Sequence, residues 1–258
     1  MNGTRVLQGK LRVSFASADP IIGWDHTPED CHHLDLGQRL YALRDIVRGR
    51  IVFTTSFGIE DQAIVHGIFR QGLAIDVLTL DTGRLFSQTY ELWAQTERRY
   101  RRRIPALYPN RIALEALVAR HGVNGFYNAV ETRHACCTIR KIDPLRRALT
   151  GATAWITGLR ADQSDERASI SFAAVDPSYQ LVKVNPLFDW TREQVVAFVQ
   201  EHGVPYNSLH DQGFLSIGCA PCTRAVTPGE PERAGRWWWE GEEKKECGLH
   251  APQCPPKP

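Results

Sequence analysis

An α/β fold, a parallel sheet flanked by helices, is the class predicted for this 258-residue chain, on three observations. From about Leu34 short β-rich runs alternate with longer amphipathic stretches, the order that builds parallel strands joined by covering helices. Most of the runs are bounded by Gly, Asp or Pro, which end strands at turns. A composition of 43% apolar and 23% charged residues is that of a folded globular chain.

The strand candidates, in order, are 51–55 (IVFTT), 75–80 (IDVLTL), 104–108 (IPALY), 154–157 (AWIT) and 181–184 (LVKV). After the first, Ile59, Ala63, Ile64 and Ile68 recur at near-helical spacing, and Gly72 stops the helix. A second helix runs from Ser87 through the arginine cluster Arg98, Arg99, Arg101, Arg102 and Arg103, whose charges suit the negative end of a helix. The clearest helix starts at Thr191, which caps while Gln194 answers it; Val195, Val196, Phe198 and Val199 face inward and Gly203 closes it. Past about Ser216 the sequence becomes dense in Gly, Pro, Trp and charge, with no sustained apolar period. The chain therefore divides into an N-terminal extension (1–33), an α/β nucleotide-binding domain (34–216) and a C-terminal lid or tail (217–258).

Several classes are excluded. The longest apolar run, 195–199, is far short of the ~20 residues of a membrane helix, so no membrane span is expected. The opening residues lack the apolar core of a secretory signal, which predicts a cytoplasmic protein. Lys and Arg exceed Asp and Glu by 31 − 29 = 2, leaving no bulk field for nucleic acid or an anionic membrane. Any anion specificity must be local.

The segment TTSFGIED, 54–61, falls where a strand hands over to a helix; Ser56, Phe57 and Gly58 there offer backbone N–H groups to a phosphate at the positive helix end. The next strand ends in LDTG, beginning at Leu80, beside that loop at the carboxyl edge of the sheet. The two together suggest a nucleotide. Basic residues lie near these motifs: Lys141, Arg160 and Arg167 in GLRADQSDER, which begins at Gly158, and Arg233 and Arg236 in ERAGRW. Arginine forks suit phosphate or sulfate oxygens. The triple tryptophan 237–239 suits packing of the lid onto the body.

Of seven cysteines, four form two tight pairs, Cys136 with Cys137 and Cys219 with Cys222. Four thiolates satisfy one tetrahedral zinc or a cubane iron-sulfur cluster, and spacing alone does not choose. Adjacent cysteines fit a zinc knuckle poorly, since neighbouring helical side chains point about 100° apart. Cys247, in KKECGLH, is placed on the tail to be presented to a substrate and then to a second protein; it needs cations from the fold to be a thiolate. Cys31, in DCHHLD with His32 and His33, suggests a metal site but reads better as part of a solvated segment before the first helix, and Cys254 reads as a bystander thiol.

The combination of SFG after a strand, LDTG, CCTIRKIDPL, GLRADQS, GCAPCT and ECGLH, in this order, resembles the assimilatory sulfonucleotide reductases, in particular the iron-sulfur adenylylsulfate (APS) reductase branch, over roughly 34–250. The resemblance implies an adenine nucleotide alpha hydrolase-like fold, also seen in ATP pyrophosphatases. It implies a [4Fe-4S] cluster on Cys136, Cys137, Cys219 and Cys222, and a nucleophile at Cys247. Substrate binding would fall to Ser56, Phe57, Gly58, Leu80, Lys141, Gly158, Arg160, Arg167, Arg233 and Arg236. It further implies reduction of APS to sulfite and AMP with thioredoxin or a glutaredoxin-like reductant, through an S-sulfocysteine, in a homo-oligomer. Relatives lacking the cluster cysteines use the 3′-phosphorylated nucleotide, PAPS, so a PAPS or dual-specificity reductase is the alternative; a zinc-bound nucleotide sensor is a more distant one. Phe57 stands where an adenylating pyrophosphatase has Gly, which argues against that activity.

Overall fold

A computed structural model describes residues 12–14, 21–23 and 32–241. The first two segments are short antiparallel strands, β1 (Arg12–Ser14) and β2 (Ile21–Gly23). Helix α1 (Leu36–Ile46) follows, capped by Asp35 and Gln38 in a reciprocal box, and its buried Arg39 holds Asp189 through two bonds of 2.6 and 2.8 Å. Then come β3 (Arg50–Thr55), α2 (Ile59–Arg70), β4 (Asp76–Leu80), α3 (Ser87–Tyr100), β5 (Ala106–Leu107), α4 (Arg111–His121) and α5 (Val130–Cys137). A π-helical stretch, Thr138–Ile142, leads into α6 (Asp143–Leu149). The remainder is β6 (Ala152–Ile156), β7 (Ala173–Asp176), β8 (Leu181–Val184) and α7 (Arg192–Glu201), then a strap without long elements from 202 to 241.

Six strands form one sheet in the order β5-β4-β3-β6-β8-β7, parallel except for β7 against β8. The predicted fold class is therefore observed, and all five predicted strands are present within two residues at each end. The antiparallel edge strand β7, short and only half-buried, is an addition that the sequence pattern did not reveal. Alternation along the strands feeds two cores. Ile51, Phe53, Ala154, Ile156, Val182 and Val184 face one built with α1, α2 and α7; Val52, Leu78, Trp155 and Leu181 face the other, closed by Leu145, Ala148 and Leu149 of α6. Thr191 and Gln194 cap α7 reciprocally, as expected. Helix α3 stops at Tyr100 because Arg101 adopts the left-handed conformation (φ 51°); the arginine cluster thus straddles the helix end, with Arg103 held by Glu97 at 2.6 Å.

This topology fixes where a ligand can enter. From β3 the chain moves to β4 on one side, while β6 pairs with β3 on the other. Their carboxyl ends, followed by Ser56, Asp81 and Thr157, diverge around a crevice at the switch point, where open α/β sheets bind ligands.

Candidate active site

The crevice opens into a cavity lined from the sheet by Ser56, Gly58, Leu80 and Gly158, from the π-helical stretch by Lys141, from the segment after β6 by Arg167, and from the strap by Arg233 and Arg236. Eight of the ten residues expected at the substrate thus share one wall or another of the same cavity.

The other two are diverted, each for a physical reason. Phe57 takes a left-handed backbone (φ 60°), which costs a non-glycine residue about 1–2 kcal/mol. Its side chain is 1% exposed and stacks on Trp93 at 5.6 Å, so core burial worth roughly 1.5–3 kcal/mol offsets that strain. The turn it makes leaves Gly58 to start α2 and points Ser56 at the cavity. Arg160 is wholly buried in an ion network instead: its Nε donates to Glu60 at 2.9 Å, Nη1 to Asp162 at 3.1 Å and Nη2 to Glu232 at 2.7 Å. Burial opposes its charge, but Glu60 and Glu232 outweigh that and hold its pKa above the ordinary arginine value. Glu232 immediately precedes Arg233, so Arg160 ties the strap to the sheet.

The strap's own arginine is differently placed. Arg236 is 7% exposed, its Nη1 reaches only Ser216 and Ile217 at 3.5 and 3.4 Å, and its Nε has no partner among the described residues. A Cβ on Gly218 would sit 2.2 Å from its Nη2, so the guanidinium fits there only because residue 218 is glycine. A buried, thinly bonded cation facing a cavity asks for an anion.

Beyond Arg236 the four paired cysteines meet. Cys136 and Cys137 end α5 where the helix widens into its π turn, and in the strap Cys219 precedes and Cys222 ends a 3₁₀ turn, Ala220–Cys222. All four are free thiols. Cys137 and Cys222 pack with Trp237 and Trp239, and Thr82 Oγ1 lies 3.3 Å from Cys219 Sγ. Burial, then the neighbouring Cys219 and Cys137 sulfurs, push the Cys222 thiol up to about 12, against the cations Lys141 and Arg236. Burial likewise raises Cys136, against Arg140 and Arg84. Two buried donors beside them, Arg140 Nε and Trp237 Nε1, have no acceptor among the described residues. Soft sulfur ligands, encircling cations and orphaned N–H donors fit an anionic sulfide-rich cluster, whose metal charge would reverse the mutual repulsion of the thiolates. No group of three or more His, Cys, Asp or Glu side chains among the described residues is arranged to hold a single metal ion.

Cys247, Cys31 and Cys254 lie outside the described residues. His32 is tied to Asp189 at 2.8 Å. Trp237 packs the strap onto the body as expected, sandwiched between Arg133 (4.8 Å) and Arg236 (4.7 Å). Sequence reasoning missed Glu60, Asp61 and Glu232, although the first two stand within the quoted SFGIED; acidic residues beside an anion loop gave no reason to be singled out before their partners were visible.

Comparison with known proteins identifies the family. Residues 50–225 match the phosphoadenosine phosphosulfate reductase domain family. Adenosine 5′-phosphosulfate reductase of Rhizobium meliloti (strain 1021) is 56% identical over 86% of this chain and 83% of its own, and that of Allochromatium vinosum is 52% identical over 80% and 81%. Among solved structures, the phosphate complex of phosphoadenylyl-sulfate (PAPS) reductase from Candida auris superposes with a TM-score of 0.67 at 27% identity, covering 78% of this chain and 95% of that one. The chain belongs to the phosphoadenosine phosphosulfate reductase domain family.

Proposed function

We propose that this protein reduces adenosine 5′-phosphosulfate to sulfite and AMP in sulfate assimilation, with thioredoxin or a glutaredoxin-like protein as reductant. The observation that carries the reading is the cavity at the sheet's carboxyl edge, where Lys141, Arg167, Arg233 and Arg236 line one space beside four converging cysteines. Relatives named adenosine 5′-phosphosulfate reductase support APS as the nucleotide.

In this reading the adenosine lies along the β3–β4 edge near Leu80, and the phosphosulfate points to the basic groups. The Cys247 thiolate attacks the sulfate sulfur; the bond from sulfur to the phosphate oxygen breaks, and AMP leaves with the electron pair. The negative charge gathering on the departing phosphate is met by guanidinium and ammonium groups already in place, which is where such sites lower barriers most. A reductant thiolate then attacks Cys247 Sγ, sulfite departs with the sulfur-sulfur electron pair, and the second reductant thiol resolves the mixed disulfide. No redox change of a metal is required. Cys136, Cys137, Cys219 and Cys222 would hold a [4Fe-4S] cluster, which supplies a fixed charge and a rigid anchor joining α5 to the strap. Lys141, between those sulfurs and the cavity, feels both.

Steady-state assays with APS and PAPS, using reduced thioredoxin, test this directly. Turnover with APS by protein containing about four iron and four sulfide per chain is expected; preference for PAPS would transfer the reading to the 3′-phosphorylated substrate, and a colourless zinc-bearing protein without turnover would refute it.

A further inference from the structure

At the switch-point crevice, where a phosphate would enter, a protein carboxyl group already stands. Asp61 Oδ2 accepts the Ser56 backbone N–H at 2.5 Å and the Ser56 hydroxyl at 2.8 Å, and Asp61 itself lines the cavity. On its far side a Cβ at Gly158 would lie 2.3 Å from Asp61 Oδ1, so the carboxyl fills the gap between the ends of β3 and β6. Two donors of the loop are thus taken by an oxygen acid of the protein's own.

Resting on the reading of this cavity as an APS site, we propose that Asp61 is a positioning residue that stands in for a substrate oxygen: it holds Ser56 N–H and Oγ until the nucleotide arrives, then yields them to the phosphosulfate. An ionised carboxylate would both compete with and repel that anion, whereas the neutral acid can turn away as a donor. The charged or titratable groups around the cavity are Glu60 on the same helix, Lys141, Arg167 and His210, and Glu232, Arg233 and Arg236 of the strap. Burial, opposed by the Ser56 hydrogen bonds and aided by Glu60, raises Asp61 to about 7. The acid is therefore half neutral near physiological pH, and the nucleotide binds with uptake of a proton at Asp61.

The test uses cluster-loaded protein carrying Cys247→Ser, which binds APS without consuming it, with and without Asp61→Asn, an isostere that keeps an acceptor but cannot ionise. Between pH 6 and 8.5 the APS Kd of the parent rises slowly up to pH 7, by about fivefold from pH 7 to 8, and more steeply toward tenfold per unit beyond, the linkage expected for one proton. With Asp61→Asn the Kd is flat and at least tenfold tighter at pH 8.5. Parallel slopes, or weaker binding throughout with an unchanged melting temperature, would overturn the proposal. Calorimetry in buffers of different ionisation enthalpy reads the same proton without relying on the folding of the double variant: uptake of about three-quarters of a proton per APS at pH 7.5 is expected, rising toward one at pH 8.5, and none contradicts it. If neither protein binds APS at any pH, the reading of the site fails, and the proposal with it.

Discussion

The loop wall of the cavity, residues 56–61, and the strap wall, residues 216–237, satisfy their polar atoms in opposite ways. In the loop, Ser56 donates to Asp61 and the Phe57 N–H to Thr55 Oγ1, so the donors are used within the protein. In the strap, Arg236 Nε and Trp237 Nε1 lack acceptors among the described residues, as does Arg140 Nε across from them. A buried unmade hydrogen bond costs about 1–3 kcal/mol, so the strap wall has room for acceptors beyond those of the described residues. The first two residues of the loop wall have their donors met before a ligand arrives; the strap wall keeps donors for one. Arg160, bonded at once to Glu60 behind the loop and Glu232 on the strap, sets the spacing between them.

Four perturbations break or sharpen this contrast. The largest effect is expected from Cys219→Ser, which removes one sulfur from the strap: iron content and visible absorbance fall, and turnover is lost, as quantified by iron and sulfide analysis alongside activity. Arg160→Met leaves the buried Glu60 without its cation and Glu232 with only the longer contact to Arg192 at 3.7 Å, and should destabilise the fold by about 3–5 kcal/mol, read by denaturant titration. Arg236→Ala takes away the thinly bonded cation and should lower kcat/KM for APS by roughly 10²–10³-fold with little change in melting temperature; Arg236→Lys, a point charge in place of a fork, should recover only part of it. The smallest effect is on the loop side. Because Asp61 is raised from its ordinary 3.8 to about 7, the folded protein holds a proton that the unfolded chain has released, so this group's contribution to stability declines as pH rises from about 4 to about 7 and is constant above. Asp61→Asn removes that decline, and its melting temperature should fall less than that of the parent between pH 4.5 and 7.5.

Much of this architecture was legible from residue order alone. The strands carried β-branched runs ended by turn residues, and α7 carried a reciprocal cap at Thr191 and Gln194, local signals that tertiary packing did not override. The edge strand β7 was not legible, since AAVD is short, lacks alternation and exists only through pairing with β8. The cavity residues were legible where a motif placed them at a strand end, as for Ser56, Gly58, Leu80 and Gly158. The fate of Arg160 was not, because whether an arginine meets a ligand or a carboxylate depends on Glu60 and Glu232, 100 residues before it and 72 after. The approach of the adjacent cysteines to a distant pair was anticipated from their positions in the sequence, but the π turn that follows Cys137 is a backbone adjustment of the kind common at functional sites and has no sequence signature.

In the proposed reaction the strap and loop walls together present the sulfur of APS to Cys247. The most direct measurement is an anaerobic single-turnover incubation of the reduced, cluster-bearing protein with APS and no thioredoxin, followed by intact mass and peptide mapping. The account predicts one sulfonate adduct per chain, confined to Cys247, with a stoichiometric release of AMP. An unmodified Cys247 in protein whose cluster is intact, or an adduct on another cysteine, would contradict it.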